Sequence, residues 1–258
     1  MKCVILAGGK GTRIEEESRL HPKPMVEIGG RPILWHIMKI YSSFGVNDFV
    51  VCLGYKGYII KEYFGNYFLH QSDVTFEMAR NEVLYHNCRS EPWKVTLVDT
   101  GEDTMTGGRL RRVRQYLEPG EPFCMTYGDS VSDVDVQREI EFHRRHGRKA
   151  TVSCVRATAR FGGMVIENDH IASFEQKSLS ESGLINGGFF VLDQSVLDLI
   201  PGDDSIWERE PLETLAASGQ LMPWVHRGFW QPLDTLRDAQ MLNSLWESER
   251  APWMLWGR

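Results

Sequence analysis

Residues 1–160 alternate short apolar runs with amphipathic stretches, and that alternation leaves few folds open to the chain. Lys2–Leu6, Phe49–Leu53, Val95–Val98, Phe123–Tyr127 and Ala150–Val155 read as buried strands. Between them, Pro32–Phe44, Lys56–Phe64, Gly108–Leu117 and Val136–His146 read as helices. The first of these places Ile33, Ile37, Ile40, Tyr41 and Phe44 at helical spacing, with Pro32 suited to a first helical turn. Repeated strand–helix–strand units predict an α/β fold: an open, mostly parallel, Rossmann-like sheet with helices on both faces. Phe64–Trp93 breaks the pattern and predicts a small β excursion with strands Val74–Met78 and Glu82–Tyr85. Beyond residue 160 the sequence predicts a hairpin around Asn168-Asp169, a strand at Phe189–Leu192 and a short helix at Gln194–Ile200. A helix at Glu208–Ser218, a strand at Leu221–His226 and a C-terminal helix at Thr235–Glu249 follow. No linker-like segment divides the chain, so one domain over 1–258 is expected, with 1–160 as its core.

In an open sheet, ligands sit beyond the carboxyl ends of the strands. The first strand runs into Leu6-Ala7-Gly8-Gly9-Lys10-Gly11-Thr12-Arg13. Its glycines permit a tight bend and close approach to a ligand, and successive exposed N–H groups form an anion-binding concavity. Arg13 adds a forked cation suited to phosphate oxygens, and Lys23 stands between Pro22 and Pro24 as a second cation. The plain alternative is a Gly-rich surface turn. A Walker A loop is excluded by the lysine in Gly9-Lys10-Gly11, and a dinucleotide fingerprint by Ile14. The loop Thr100–Arg109 follows another strand, and its hydroxyls and glycines could face a base; a flexible rim loop is the alternative. Asp129 follows a third strand. A carboxylate at that mouth suits Mg²⁺, which takes oxygen ligands from one or two carboxylates and from substrate phosphates. Turn or helix capping is the other reading of Asp129, and equally of Asp234, which stands just before the last helix.

Charge and cysteine content narrow the partners. Lys and Arg number 29 against 35 Asp and Glu, a net charge of −6, so nucleic acid is not expected as a partner. Arg111, Arg112 and Arg114 read as a solvated helix face, as do His143 and His146 among their arginines. Five cysteines with no Cys-x-x-Cys pair argue against a disulfide framework or a zinc site and fit a reducing cytoplasm. No signal peptide and no membrane span is expected. Trp246, Trp253 and Trp256 are read as either local packing or a subunit contact.

Longer stretches carry a resemblance. PKPMVEIGGRPILWHIMKIY (22–41), GYKGYIIKEYF (54–64), LVDTGEDTMTGGRL (97–110), TYGD (126–129), INGGFFVL (185–192) and FWQPLDTLRD (229–238) resemble, in order, the sugar-1-phosphate nucleotidyltransferases. The resemblance covers nearly the whole chain and is strongest to the branch that forms CDP-glucose from CTP and glucose 1-phosphate. It implies an Mg²⁺-dependent homo-oligomeric enzyme in which Arg13, Lys23 and Asp129 serve catalysis and Asp129 and Asp234 hold the metal. Leu6 through Arg13 (Leu6, Ala7, Gly8, Gly9, Lys10, Gly11, Thr12), Lys23, Thr104, Arg109 and Gly128 would bind the nucleotide, with Thr104 and Arg109 at the cytosine. Gln176, Lys177, Asn186 and Gly187 would bind the sugar phosphate, making 161–258 the sugar-binding part. Two departures stand out: Gln176-Lys177-Ser178 replaces a Glu-Lys-Pro, and Gly128-Asp129-Ser130 replaces a Gly-Asp-Gly. They leave open another sugar phosphate, another base such as that of dTTP or UTP, or a non-catalytic nucleotide-sugar-binding paralogue.

Overall fold

The computed structural model describes residues 1–9, 21–156, 163–167, 170–175 and 183–256, with no side-chain description for 163–167 and 171–175. Its strands, in chain order, are β1 (Lys2–Leu6), β2 (Glu27–Ile28), β3 (Arg31–Pro32), β4 (Asp48–Leu53), β5 (Asp73–Glu77), β6 (Glu82–His86), β7 (Lys94–Asp99) and β8 (Phe123–Tyr127). Then come β9 (Ser130–Ser132), β10 (Ala150–Arg156), β11 (Gly163–Glu167), β12 (His170–Glu175), β13 (Leu184–Leu192), β14 (Leu221–Val225) and β15 (Trp230–Pro232).

Seven strands form the central sheet in the order β14-β10-β13-β8-β1-β4-β7. β1 lies parallel to both β4 and β8, β4 to β7 and β10 to β14, while β13 runs antiparallel to both of its neighbours. The expected open, mostly parallel sheet is therefore present, with one reversed strand. Near-continuous apolar runs make this possible because a strand buried on both faces sends alternate side chains to opposite sides. Ile5 and Phe189 enter one buried cluster with Ile37, Ile60, Ile140 and Leu242; Val4 and Phe190 enter the other with Leu110, Leu197 and Leu215. Helices accordingly cover both faces: Ile33–Ser42, Gly57–Gly65, Val136–His146 and Leu236–Glu247 on one, Thr106–Arg112 and Glu210–Ala217 on the other.

Several details differ from the sequence expectation. The strand expected at Phe189–Leu192 is longer: β13 spans Leu184–Leu192 and takes in Asn186-Gly187-Gly188. The helix expected at Gly108–Leu117 stops at Arg112, and a separate 3-10 turn covers Arg114–Tyr116. His143 is not on a solvated face: it is buried and meets the Thr151 hydroxyl at 2.9 Å. Arg112 and Arg114 are surface cations, paired with Asp203 and Asp198. The C-terminal tryptophans pack locally: Trp253 is fully buried, and Trp246 and Trp256 stand against His36 and Trp35 on the Ile33–Ser42 helix. All five cysteines are free, and only Cys88 is exposed. Among the described residues, no helix is long and apolar enough to cross a membrane.

Candidate active site

Three parallel strands, β8, β1 and β4, deliver their carboxyl ends to one edge of the sheet, and β7 adds the loop that begins at Thr100. Leu6 O accepts from Gly128 N at 3.0 Å, and Cys52 O accepts from Ala7 N at 3.0 Å, so the segment after β1 is pinned on both sides. A cleft of about 340 Å³ opens there. The Leu6–Gly9 backbone, Thr104, Arg109 and Gly128 line it. Lys23, Asp129 and Asp234 line it too, and the two carboxylates are shared with a second cleft of about 270 Å³ that holds Asn186 and Gly187. Lys10, Gly11, Thr12, Arg13, Gln176 and Lys177 lie outside the described residues.

A short ribbon brings the two carboxylates together. β9 pairs with β15, setting Ser130 opposite Pro232, and Leu233 N donates to Asp129 O at 2.8 Å. Asp129 and Asp234, 105 positions apart in sequence, thus become neighbours. Lys23 Nζ, placed by the 3-10 turn Lys23–Met25, donates to Asp129 Oδ2 and Asp234 Oδ1, both at 2.6 Å. Burial alone would lower the Lys23 pKa, but the two carboxylates reverse that and raise it, so this side chain is a fixed ammonium. Helix capping does not occupy Asp234. Thr235 is the N-cap, and Asp238 completes a capping box by accepting from the Thr235 backbone N–H at 2.8 Å.

The two carboxylates fit a hard divalent cation. Their shared contact with one ammonium shows that the pocket between them already accommodates a positive charge. Among the described residues no cluster of three or more metal-ligating side chains exists. Two carboxylates leave most of a six-oxygen shell to phosphates and water, which suits Mg²⁺ held jointly by protein and substrate.

Arg109 is buried, and its fork is largely committed. Nη1 donates to Leu53 O, Thr100 Oγ1 and Gly101 O (3.0, 2.8 and 2.7 Å), and Nη2 donates to Gly8 O and Glu102 O (3.0 and 3.1 Å). It ties the β1, β4 and β7 loops together. Among the described residues only its Nε–H has no acceptor. This packing also explains Gly8, where an added Cβ would stand 2.2 Å from Arg109 Nη1 and 2.9 Å from Gly54 N.

Three further polar side chains, Tyr127, Thr106 and Glu208, line the clefts. Tyr127, which ends β8, lines both clefts, and its hydroxyl donates to Glu208 Oε1. Thr106 Oγ1 donates to Glu208 Oε2 at 2.6 Å. In sequence, Tyr127 is one more apolar strand residue and Glu208 the start of a helix, so neither signals a site. Only the position of Thr106, in a loop past a strand end, points there.

With this geometry in view, comparison with known proteins is informative. The family model described as Nucleotidyl transferase matches residues 2–222. A glucose-1-phosphate cytidylyltransferase of Salmonella typhi is 58% identical over 256 residues, covering 99% of this chain and all of the relative. The crystal structure of HddC from Yersinia pseudotuberculosis matches with a TM-score of 0.76 at 25% identity, covering 95% of this chain and 99% of that one; a further structure of HddC is complexed with GMP-PN. A UDP-glucose pyrophosphorylase in its apo form, 15% identical, shares the fold at a TM-score of 0.76, covering 96% of this chain and 98% of its own.

Proposed function

The chain belongs to the nucleotidyl transferase family, and from that premise we propose that it transfers CMP from CTP to α-D-glucose 1-phosphate, releasing pyrophosphate and forming CDP-glucose. The observation that carries the reading is the junction of two clefts over Asp129, Lys23 and Asp234. One cleft takes the nucleotide and the other the sugar, so the phosphates of both meet at the junction. The choice of CTP and glucose 1-phosphate is supported by the full-length relative at 58% identity.

Phosphoryl-type transfer asks the protein mainly to position groups and neutralise charge. The Gly8–Gly9 backbone and, in this reading, Lys10 through Arg13 cradle the triphosphate. Lys23 gives its ammonium to the α-phosphate or to the entering phosphate. A divalent cation, Mg²⁺ in this reading, bound by Asp129 and Asp234 would supply further charge neutralisation on phosphate oxygens. Thr104 and Arg109 face the cytosine. The Arg109 fork, held by carbonyls, offers Nε–H to the base O2, and a backbone carbonyl of the same loop accepts from the exocyclic amine. Asn186, Gly187, Gln176 and Lys177 receive the sugar phosphate, and Lys177 holds its charge. A phosphate oxygen of the sugar phosphate then attacks the α-phosphorus in line and pyrophosphate departs on the opposite side, with no covalent enzyme intermediate. The five free cysteines support a reducing, cytoplasmic setting. A homo-oligomer is supported by the β5–β6 hairpin, which exposes Phe76, Leu84 and Tyr85 and is 87% exposed at Met78. A lone two-stranded hairpin of this kind is at best marginally stable in water.

Initial rates of pyrophosphate release with glucose 1-phosphate and CTP, dTTP, UTP or ATP test the reading. CTP is expected to lead by ~100-fold or more, the discrimination available to a site that hydrogen-bonds a base edge. A lead by UTP or dTTP would reassign the base. Folded protein that binds CTP and releases no pyrophosphate with any nucleotide would instead be a nucleotide-sugar-binding paralogue.

A further inference from the structure

We propose that Glu208 is a specificity residue of the second cleft, accepting a hydrogen bond from a hydroxyl of the sugar and coupling that contact to the loop that faces the base. The inference rests on the two-cleft reading above. Glu208 is half-buried and lines the second cleft beside Asn186, Gly187 and Trp230. Both of its oxygens are already oriented. Oε1 accepts from the Tyr127 hydroxyl, and Oε2 accepts from Thr106 Oγ1 at 2.6 Å. Thr106 Oγ1 is itself fixed, accepting from Trp207 N at 2.9 Å.

The charge on Glu208 is what singles it out. Its partners are neutral hydroxyls, and among the described residues it forms no ion pair. Each carboxylate oxygen has a second acceptor position beyond the one in use. Such a carboxylate in a cleft wall is suited to donors that carry no charge, such as the hydroxyls of a polyol, and a bond to it is stronger than one to a neutral acceptor. The cleft also has an aromatic wall. Trp230 forms part of its wall, with its indole Nε1 donating to Gly187 O at 2.7 Å. Gly188 adopts φ +79°, and a Cβ there would stand 2.6 Å from the Tyr127 ring, so the cleft floor is closely packed.

Glu208 also belongs to the segment that braces the base-facing loop. Met105 N donates to Asp203 O and Gly107 N to Ser205 O, both at 2.9 Å, and Arg112 pairs with Asp203 at 2.6 Å. Through Thr106, the carboxylate that meets the sugar therefore holds one wall of the nucleotide cleft. Sugar specificity and the shape of the nucleotide site share one side chain.

The test is steady-state kinetics of the wild type, Glu208→Gln and Glu208→Asp with glucose 1-phosphate and its 2-, 3-, 4- and 6-deoxy analogues. Loss of a charge-assisted bond is expected to raise KM for glucose 1-phosphate roughly tenfold or more in Glu208→Gln, and KM for CTP by a smaller factor through the weakened hold on Thr106. The wild type is expected to penalise one deoxy analogue, and both variants to lose that penalty at the same position alone. A variant that discriminates against every analogue as the wild type does, or that raises both KM values by the same factor, would reduce Glu208 to a brace and overturn the proposal. A wild type inactive with CTP and every sugar phosphate would overturn the two-cleft reading itself, a result distinct from either.

Discussion

At the scale of single residues, the site is a balance of one ammonium and two carboxylates. Lys23 pairs with both Asp129 and Asp234 and offsets only one of their two formal charges. Asp129→Asn keeps the shape and most hydrogen bonding but removes a charge. Turnover is expected to fall by about 100-fold or more, with a higher requirement for divalent cation; unchanged turnover and Mg²⁺ dependence would remove Asp129 from metal binding. Gly8→Ala forces a Cβ onto the Arg109 guanidinium and the Gly54 backbone. CTP affinity measured by calorimetry is expected to drop at least tenfold while the far-UV circular dichroism is unchanged. Lys23 and Asp129 were legible in the sequence because they lie where a strand end or a proline-flanked turn meets solvent. The packing of Arg109 was not: nothing in a Gly-Gly-Arg run says that five acceptors from three loops converge on its guanidinium. Glu208 was equally hidden, since its meaning comes from Tyr127 and Thr106, 81 and 102 positions away.

Elements explain how distant residues meet. The strands of the parallel core were legible because each is an apolar run of five to seven residues bounded by turn residues. The β9–β15 ribbon was not, because three-residue strands leave no period to read. Yet that ribbon sets Asp129 beside Asp234. The capping box that starts the Leu236–Glu247 helix holds the segment immediately after Asp234. Thr235→Ala is expected to lower unfolding free energy by ~1 kcal/mol in urea titration, and an unchanged midpoint would show that the box contributes nothing. The reversal of β13 also escaped the sequence, since an apolar strand buried on both faces carries no sign of its direction.

For the molecule as a whole, buried ionisable groups define the pH range of the fold. Burial pushes Glu139 up to about 8, and the nearby Ser153 hydroxyl offsets this only in part. A raised carboxyl contributes stability below its unfolded pKa and loses it as pH rises toward the folded value. Burial holds His36 and His143 down at about 4. Their contribution is present above about 6.5 and is lost as pH falls toward 4. Stability is thus expected to decline on both sides of mildly acidic pH. Glu139→Gln is expected to raise the thermal midpoint at pH 8.5 by several degrees and to change it little at pH 4.5, measured by scanning calorimetry. Equal shifts at both values would show that folding does not raise the Glu139 pKa. At the same scale, the exposed β5–β6 hairpin is expected to lie between subunits. Sedimentation equilibrium is expected to give a multiple of the 29.6 kDa chain mass, and a monomer at micromolar concentration would contradict that assignment.

In the proposed reaction, the two clefts meeting at Asp129, Lys23 and Asp234 bring the sugar phosphate directly to the α-phosphorus of CTP. Exchange of labelled pyrophosphate into CTP, with Mg²⁺ and with or without CDP-glucose, tests it most directly. Direct transfer requires label to enter CTP only when CDP-glucose is present. Exchange without the sugar nucleotide would mean that the protein itself takes the CMP group, and would contradict the account.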